Sequence, residues 1–97
     1  MVKIAKSLAD IPTSGLVLID FFAVWCGPCV RIAPFFEQLA TKYGSSVTFI
    51  KVDVDQSDDI TAKFDITAMP TFILLKDGEV YRRMEGADRA KLEQMLA

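Results

Sequence analysis

Histidine is absent from the 97-residue sequence, and cysteine occurs only twice. Without an imidazole there is no Cys-His nucleophile pair of the protease kind. With so few soft ligands, one chain cannot complete a zinc or iron–sulfur centre, which normally takes about four Cys or His side chains. Only a site shared between two chains would serve, so no metal and no cofactor is expected. Charge of one sign is also lacking: Asp and Glu total 13, Lys and Arg 11, and the net charge is -2. Basic residues scattered among acids exclude the footprint of a nucleic-acid binder. Long hydrophobic runs are missing too. The longest, Leu16 to Phe22, is interrupted by Asp20 and falls far short of the ~20 residues that cross a bilayer. The opening MVKIAKSLAD has no apolar core of a secretory signal. These absences predict a soluble, cytoplasmic protein with no membrane partner.

What is present can build a core. The chain is 52% hydrophobic, and its length suits one domain over residues 1–97. Val2 and Ile4 begin a short alternation, and Ser7 to Ile11 leaves room for a turn or two of helix before Pro12-Thr13-Ser14-Gly15 breaks the chain. LVLIDFF reads as a strand buried on both faces. From Cys29 to Tyr43 the apolar spacing is that of an amphipathic helix ended by Gly44, with Pro34 placed to kink it. VTFIKVDV is a second long strand. Ser57 or Asp55 is positioned to cap a short helix through Ile60 and Phe64. TFILL, the Asp77-Gly78 turn and VYRRM form a hairpin. Asp88 caps a last helix that buries Leu92, Met95 and Leu96. The order β-α-β-α-β-α-β-β-α predicts an α/β fold, a central mixed sheet flanked by helices on both faces.

Both cysteines and the single tryptophan fall in Trp25-Cys26-Gly27-Pro28-Cys29, where a central strand gives way to a helix. Cys26 takes the helix N-cap and Cys29 its first turn. The unpaired N–H groups and positive dipole end there favour a thiolate, most strongly at Cys26. Pro28 loses no hydrogen bond so early in a helix, and Gly27 keeps the approach to Cys26 open. A purely structural disulfide around so small a loop contributes only about 2 kcal/mol and is uncommon in a reducing cytosol. A dithiol that exchanges with other disulfides is the reading that remains: Cys26 attacks, and Cys29 resolves the mixed disulfide.

DFFAVWCGPC, RIAPFFEQLA with its internal proline, FIKVDVDQ, AMPTFILLKDG and EGA together resemble the thioredoxin family over nearly the whole chain; only the N-terminal arm looks short. The resemblance implies the thioredoxin fold and protein-disulfide reduction. It implies a thioredoxin reductase-type electron donor, with disulfide-bearing targets such as peroxiredoxins, methionine sulfoxide reductases and ribonucleotide reductase. A monomer is expected.

The supporting residues each carry two readings. Asp20, set in an apolar strand, is either a buried acid of raised pKa that exchanges a proton with Cys29 or a solvated acid at a strand end. The family carries an aspartate at the matching position. Lys51 shares a strand face with Val47 and Phe49. It is either an edge lysine with its ammonium in water or, as the resemblance implies, a partner approaching Asp20. Trp25 is core or an apolar platform beside the nucleophile. Pro70 would be trans on frequency alone, since only ~5–6% of X-Pro bonds are cis, whereas the resemblance implies a cis Met69-Pro70 bond facing the dithiol. An extended substrate segment could then pair with the Met69 backbone. Ala68, and the small Gly86 and Ala87, match family positions on the same substrate-binding surface. Phe22, Val24 and Val30 depart from common family choices and alter the rim rather than the chemistry. Gly27-Pro28 resembles reducing members; oxidising relatives typically carry histidine there. A module that clamps a partner enzyme, with redox turnover secondary, is the competing reading.

Overall fold

The computed structural model describes residues 1–97. Five strands form one sheet in the order β1-β3-β2-β4-β5: β1 (Val2–Ile4), β2 (Leu16–Phe22), β3 (Val47–Asp53), β4 (Thr71–Lys76) and β5 (Glu79–Glu85). β1, β3 and β2 run parallel, while β4 is antiparallel to both β2 and β5. The helices are α1 (Gly27–Tyr43), α2 (Asp58–Lys63) and α3 (Arg89–Gln94), and Leu8–Asp10 forms a single 3-10 turn.

β2 is hydrogen-bonded on both sides and covered on both faces, which explains its nearly unbroken apolar run. Its side chains alternate between two cores. Leu18 faces one formed with Ile32, Phe36 and Leu39 of α1 and Leu92 of α3. Val17, Ile19 and Phe21 face the other, closed by Ile60 and the partly buried Phe64. Helices therefore lie on both faces, as the sequence predicts. Phe36 pins α1 to the sheet: its ring meets Phe49 edge-on at 5.3 Å and Phe72 at 5.9 Å. That contact fixes where the N-terminus of α1 sits above the end of β2.

α1 continues through Pro34 to Tyr43 as a 17-residue helix. The β4-β5 hairpin turns on Asp77 (φ 51°) and Gly78 (φ 85°), the pair of positive dihedrals that a tight primed turn demands. The expected N-cap of α2 falls on the first of its two candidates. Ser57 occupies the N-cap of α2 but makes no capping bond; its hydroxyl instead donates to the Ala5 carbonyl at 3.3 Å, across the α2-side core. Asp55 does not cap α2 at all. Asp88 does cap α3, accepting from the Lys91 N–H at 3.1 Å. Met95 lies just beyond that helix, although it is buried. No helix is long and apolar enough to cross a membrane.

Candidate active site

β2 ends at Phe22, and a short turn closed by the Cys26 N–H on the Ala23 carbonyl (3.1 Å) delivers the chain to α1. Cys26 is the N-cap, in extended conformation, and its Sγ accepts the Cys29 N–H at 3.2 Å. The Cys26 carbonyl accepts the Val30 N–H at 3.1 Å, the first bond of the helix ladder. Pro28 sits in the first turn, where a missing N–H costs nothing. A sulfur at a cap position thus receives one of the N–H groups that the helix leaves unpaired.

Cys26 and Cys29 are joined by a disulfide, with Cα atoms 5.3 Å apart. Both are nearly buried, Cys26 at 6% exposure and Cys29 at 3%, so the approach to Cys26 is narrower than the sequence implies. Ala23, Phe22, Val54 and Met69 enclose the pair. The apolar surface around it is nevertheless large: Val24, Trp25 and Val30 are each more than half exposed.

Trp25 is therefore not core. Its indole N–H donates to Asp55 Oδ2 at 2.8 Å, which holds the ring across the surface. Sequence reasoning did not find this role for Asp55. The two residues are 30 positions apart, and one acid in an acid-rich segment carries no local signal of a tryptophan partner.

The Met69-Pro70 bond is cis. It sets the Met69 carbonyl oxygen 3.7 Å from Cys26 Sγ, and the Met69 N–H has no hydrogen-bond partner within the chain. Thr71, buried, donates its hydroxyl to the Ala68 carbonyl at 2.6 Å and shapes the turn before Pro70. Gly86 (φ 101°) donates its N–H to the Pro70 carbonyl at 2.9 Å, which brings the Gly86-Ala87 loop beside this segment. The positive φ is one that glycine adopts without strain.

Asp20 is fully buried, and neither carboxylate oxygen has a hydrogen-bond partner. Burial pushes its pKa up to about 7, against the smaller opposing pull of the Lys51 charge. Lys51 stands beside Asp20 in the strand register, but the two make no salt bridge. Its ammonium lies instead over the Phe22 ring, 4.5 Å from the centroid. The approach implied for Lys51 is thus an influence of charge without contact. Lys51 and Cys29 both line an apolar cleft of about 220 Å³, with Phe22, Ala23, Val24 and Val30 among its walls.

Comparison with known proteins places this geometry. The thioredoxin family model matches residues 4–97. "Thioredoxin-1" of Schizosaccharomyces pombe is 56% identical over 81 residues, covering 84% of this chain and 78% of that protein. "Thioredoxin 1" of Plasmodium falciparum is 46% identical over 100 residues, covering 99% and 95%. The crystallographic structure of Fasciola hepatica thioredoxin superimposes with a TM-score of 0.92 at 43% identity, covering 97% of this chain and 95% of that one. A redox-active Cys26-Cys29 pair on this fold makes the protein a thiol–disulfide oxidoreductase, and the chain belongs to the thioredoxin family.

Proposed function

We propose that this protein works in the reducing direction on disulfides of other proteins, with Cys26 as nucleophile and Cys29 as resolving thiol. Reduced Cys26 attacks one sulfur of the target disulfide. A Cys26–target bond forms, the target bond breaks, and the displaced thiolate takes a proton. The Cys29 thiolate then attacks Cys26 Sγ, releasing the second target sulfur as a thiol and closing the Cys26-Cys29 disulfide. Two electrons have moved to the target, and an external dithiol donor must return them. The disulfide form described above is the end state of that cycle.

The observation that carries this reading is the paired sulfurs at a helix N-terminus with an unbonded buried carboxyl in the strand that leads to them. As an anion Asp20 can accept the Cys29 proton, and a pKa of about 7 leaves it near half ionised at neutral pH. Lys51 biases that acid toward its ionised form. The free Met69 N–H and the carbonyl beside Cys26 offer an extended target segment a short stretch of strand pairing. Trp25, Ala68, Pro70, Gly86 and Ala87 frame it, and Gly27 and Pro28 form the link between the sulfurs. The whole chain acts as one domain and as a monomer in the cytoplasm. A thioredoxin reductase-type donor recharges it, and peroxiredoxins, methionine sulfoxide reductases and ribonucleotide reductase are the target classes this chemistry suits.

Reduction of insulin by a chemically recharged protein tests the reading. Activity is expected in the wild type and is lost in Cys26→Ser and in Cys29→Ser. The exposed Val24, Trp25 and Val30 rim also suits a module that clamps onto a partner enzyme. Partner function that survives in both cysteine variants would favour that role over turnover.

A further inference from the structure

The first turn of α1 and the segment after β5 enclose a second notch, about 230 Å³, lined by Pro28, Arg31, Ile32, Ala87 and Arg89. We propose that this notch reads acidity: its two guanidinium groups receive the carboxylate of an Asp or Glu side chain close to the disulfide of a protein target. The inference rests on the disulfide-reductase reading and adds a preference among targets to it.

The arginines of this chain divide sharply. Arg82 donates to the carbonyls of Gln94, Met95 and Ala97 at the end of α3. Arg83 donates to the Phe64 and Asp65 carbonyls and pairs with Glu85. Those two are committed to the fold. Arg31 and Arg89 form no salt bridge and donate to nothing in the chain, although both are exposed and both line the same notch. Asp88, the neighbouring acid, is already engaged in capping α3.

Each guanidinium also has a defined neighbour. Arg89 lies over the Phe35 ring, 4.9 Å from its centroid, a cation–π contact that uses none of its N–H donors. Arg31 reaches back across the first turn of α1: a Cβ built on Gly27 would stand 3.1 Å from its Nη1. The missing side chain at Gly27 therefore leaves the space that the Arg31 guanidinium occupies. The remaining walls, Pro28, Ile32 and Ala87, add no acidic side chain. A guanidinium fork matches a carboxylate in shape and charge, and this notch is lined by two. Pro28 lies between the two cysteines, so an acid seated here belongs to a segment already at the active site.

The test uses the full chain and pairs of disulfide peptides that differ only by Glu or Gln, placed at successive positions on either side of the attacked cysteine. The readout is the ratio of kcat/KM within each pair, in which any change of Cys26 reactivity common to both peptides cancels. At low salt the wild type should prefer the Glu peptide at one or more positions by about threefold to tenfold, the range of exposed charge pairs acting together. The ratio should fall to about one in the double variant Arg31→Gln, Arg89→Gln, lie between in each single variant, and shrink in the wild type as salt shortens the Debye length. A wild type with no preference at any position, or a double variant that retains it, would overturn the subsite while leaving disulfide reduction intact. A wild type unable to reduce even the Gln peptides would instead remove the reductase reading, and the subsite with it.

Discussion

Asp20 buries its carboxyl with no partner for either oxygen. Its pKa of about 7 stands above the unfolded value of 3.8. Between these two values the native chain holds a proton that the unfolded chain releases, so stability falls as pH rises through that window. The penalty is absent below about pH 4 and complete above about pH 7, where the shift is worth on the order of 4 kcal/mol. In Asp20→Asn this slope should disappear. The buried amide adds a cost that does not vary with pH, so the quantity to measure is the stability difference between variant and wild type at pH 4 and at pH 8. It should shift in favour of the variant by several kcal/mol. The same variant should slow the resolving step by tenfold or more, toward the ~10²-fold that a positioned proton acceptor contributes. Parallel pH profiles with unchanged kinetics would make Asp20 an ordinary structural acid. For Cys26 the N-cap position and the Cys29 N–H predict an alkylation midpoint below the ~8.5 of a free thiol; a midpoint at or above that value would contradict the helix-end argument.

At the scale of elements, α1 is the part whose placement the chemistry depends on, and Phe36 is its anchor. Phe36 is fully buried between Phe49 and Phe72. Phe36→Ala should cost about 3–5 kcal/mol, read by equilibrium denaturation. A loss under ~1 kcal/mol would mean the site of this ring collapses far more readily than so dense a contact allows. The strands and α1 were legible in the sequence because each carries a strong local signal. LVLIDFF is apolar on both faces, α1 has helical periodicity, and Asp77-Gly78 is a turn dipeptide. The contacts between elements were not legible. Ser57 and Asp55 have the chemistry of helix caps, yet one bonds the segment after β1 and the other bonds Trp25. Nothing within a few residues of either position encodes a partner so distant in sequence. Lys51 shows the same limit. Its strand face followed from alternation, whereas its position over Phe22 depends on how the loop after β2 packs. The candidate site divides in the same way. WCGPC and the buried acid stand out locally, while the notch between Arg31 and Arg89 exists only once α3 is docked beside α1.

For the whole molecule, the fold sets a narrow site in a broad apolar surface. The two cysteines retain only a few per cent exposure, and Val24, Trp25 and Val30 stand out around them. That arrangement favours partners that dock before they react, with the exchange confined to one sulfur. Cys29 is the more buried of the two and sits behind Cys26 in the first turn of the helix. An incoming disulfide should therefore be attacked by Cys26 alone. The most direct test of that division of labour is trapping with a disulfide-bearing protein, followed by intact mass measurement of the reduced single-cysteine variants. Cys29→Ser should accumulate a one-to-one mixed disulfide through Cys26 that dithiothreitol releases, and Cys26→Ser should accumulate none. Adducts forming through Cys29 in Cys26→Ser, or none forming in Cys29→Ser, would contradict the assignment of nucleophile and resolving thiol.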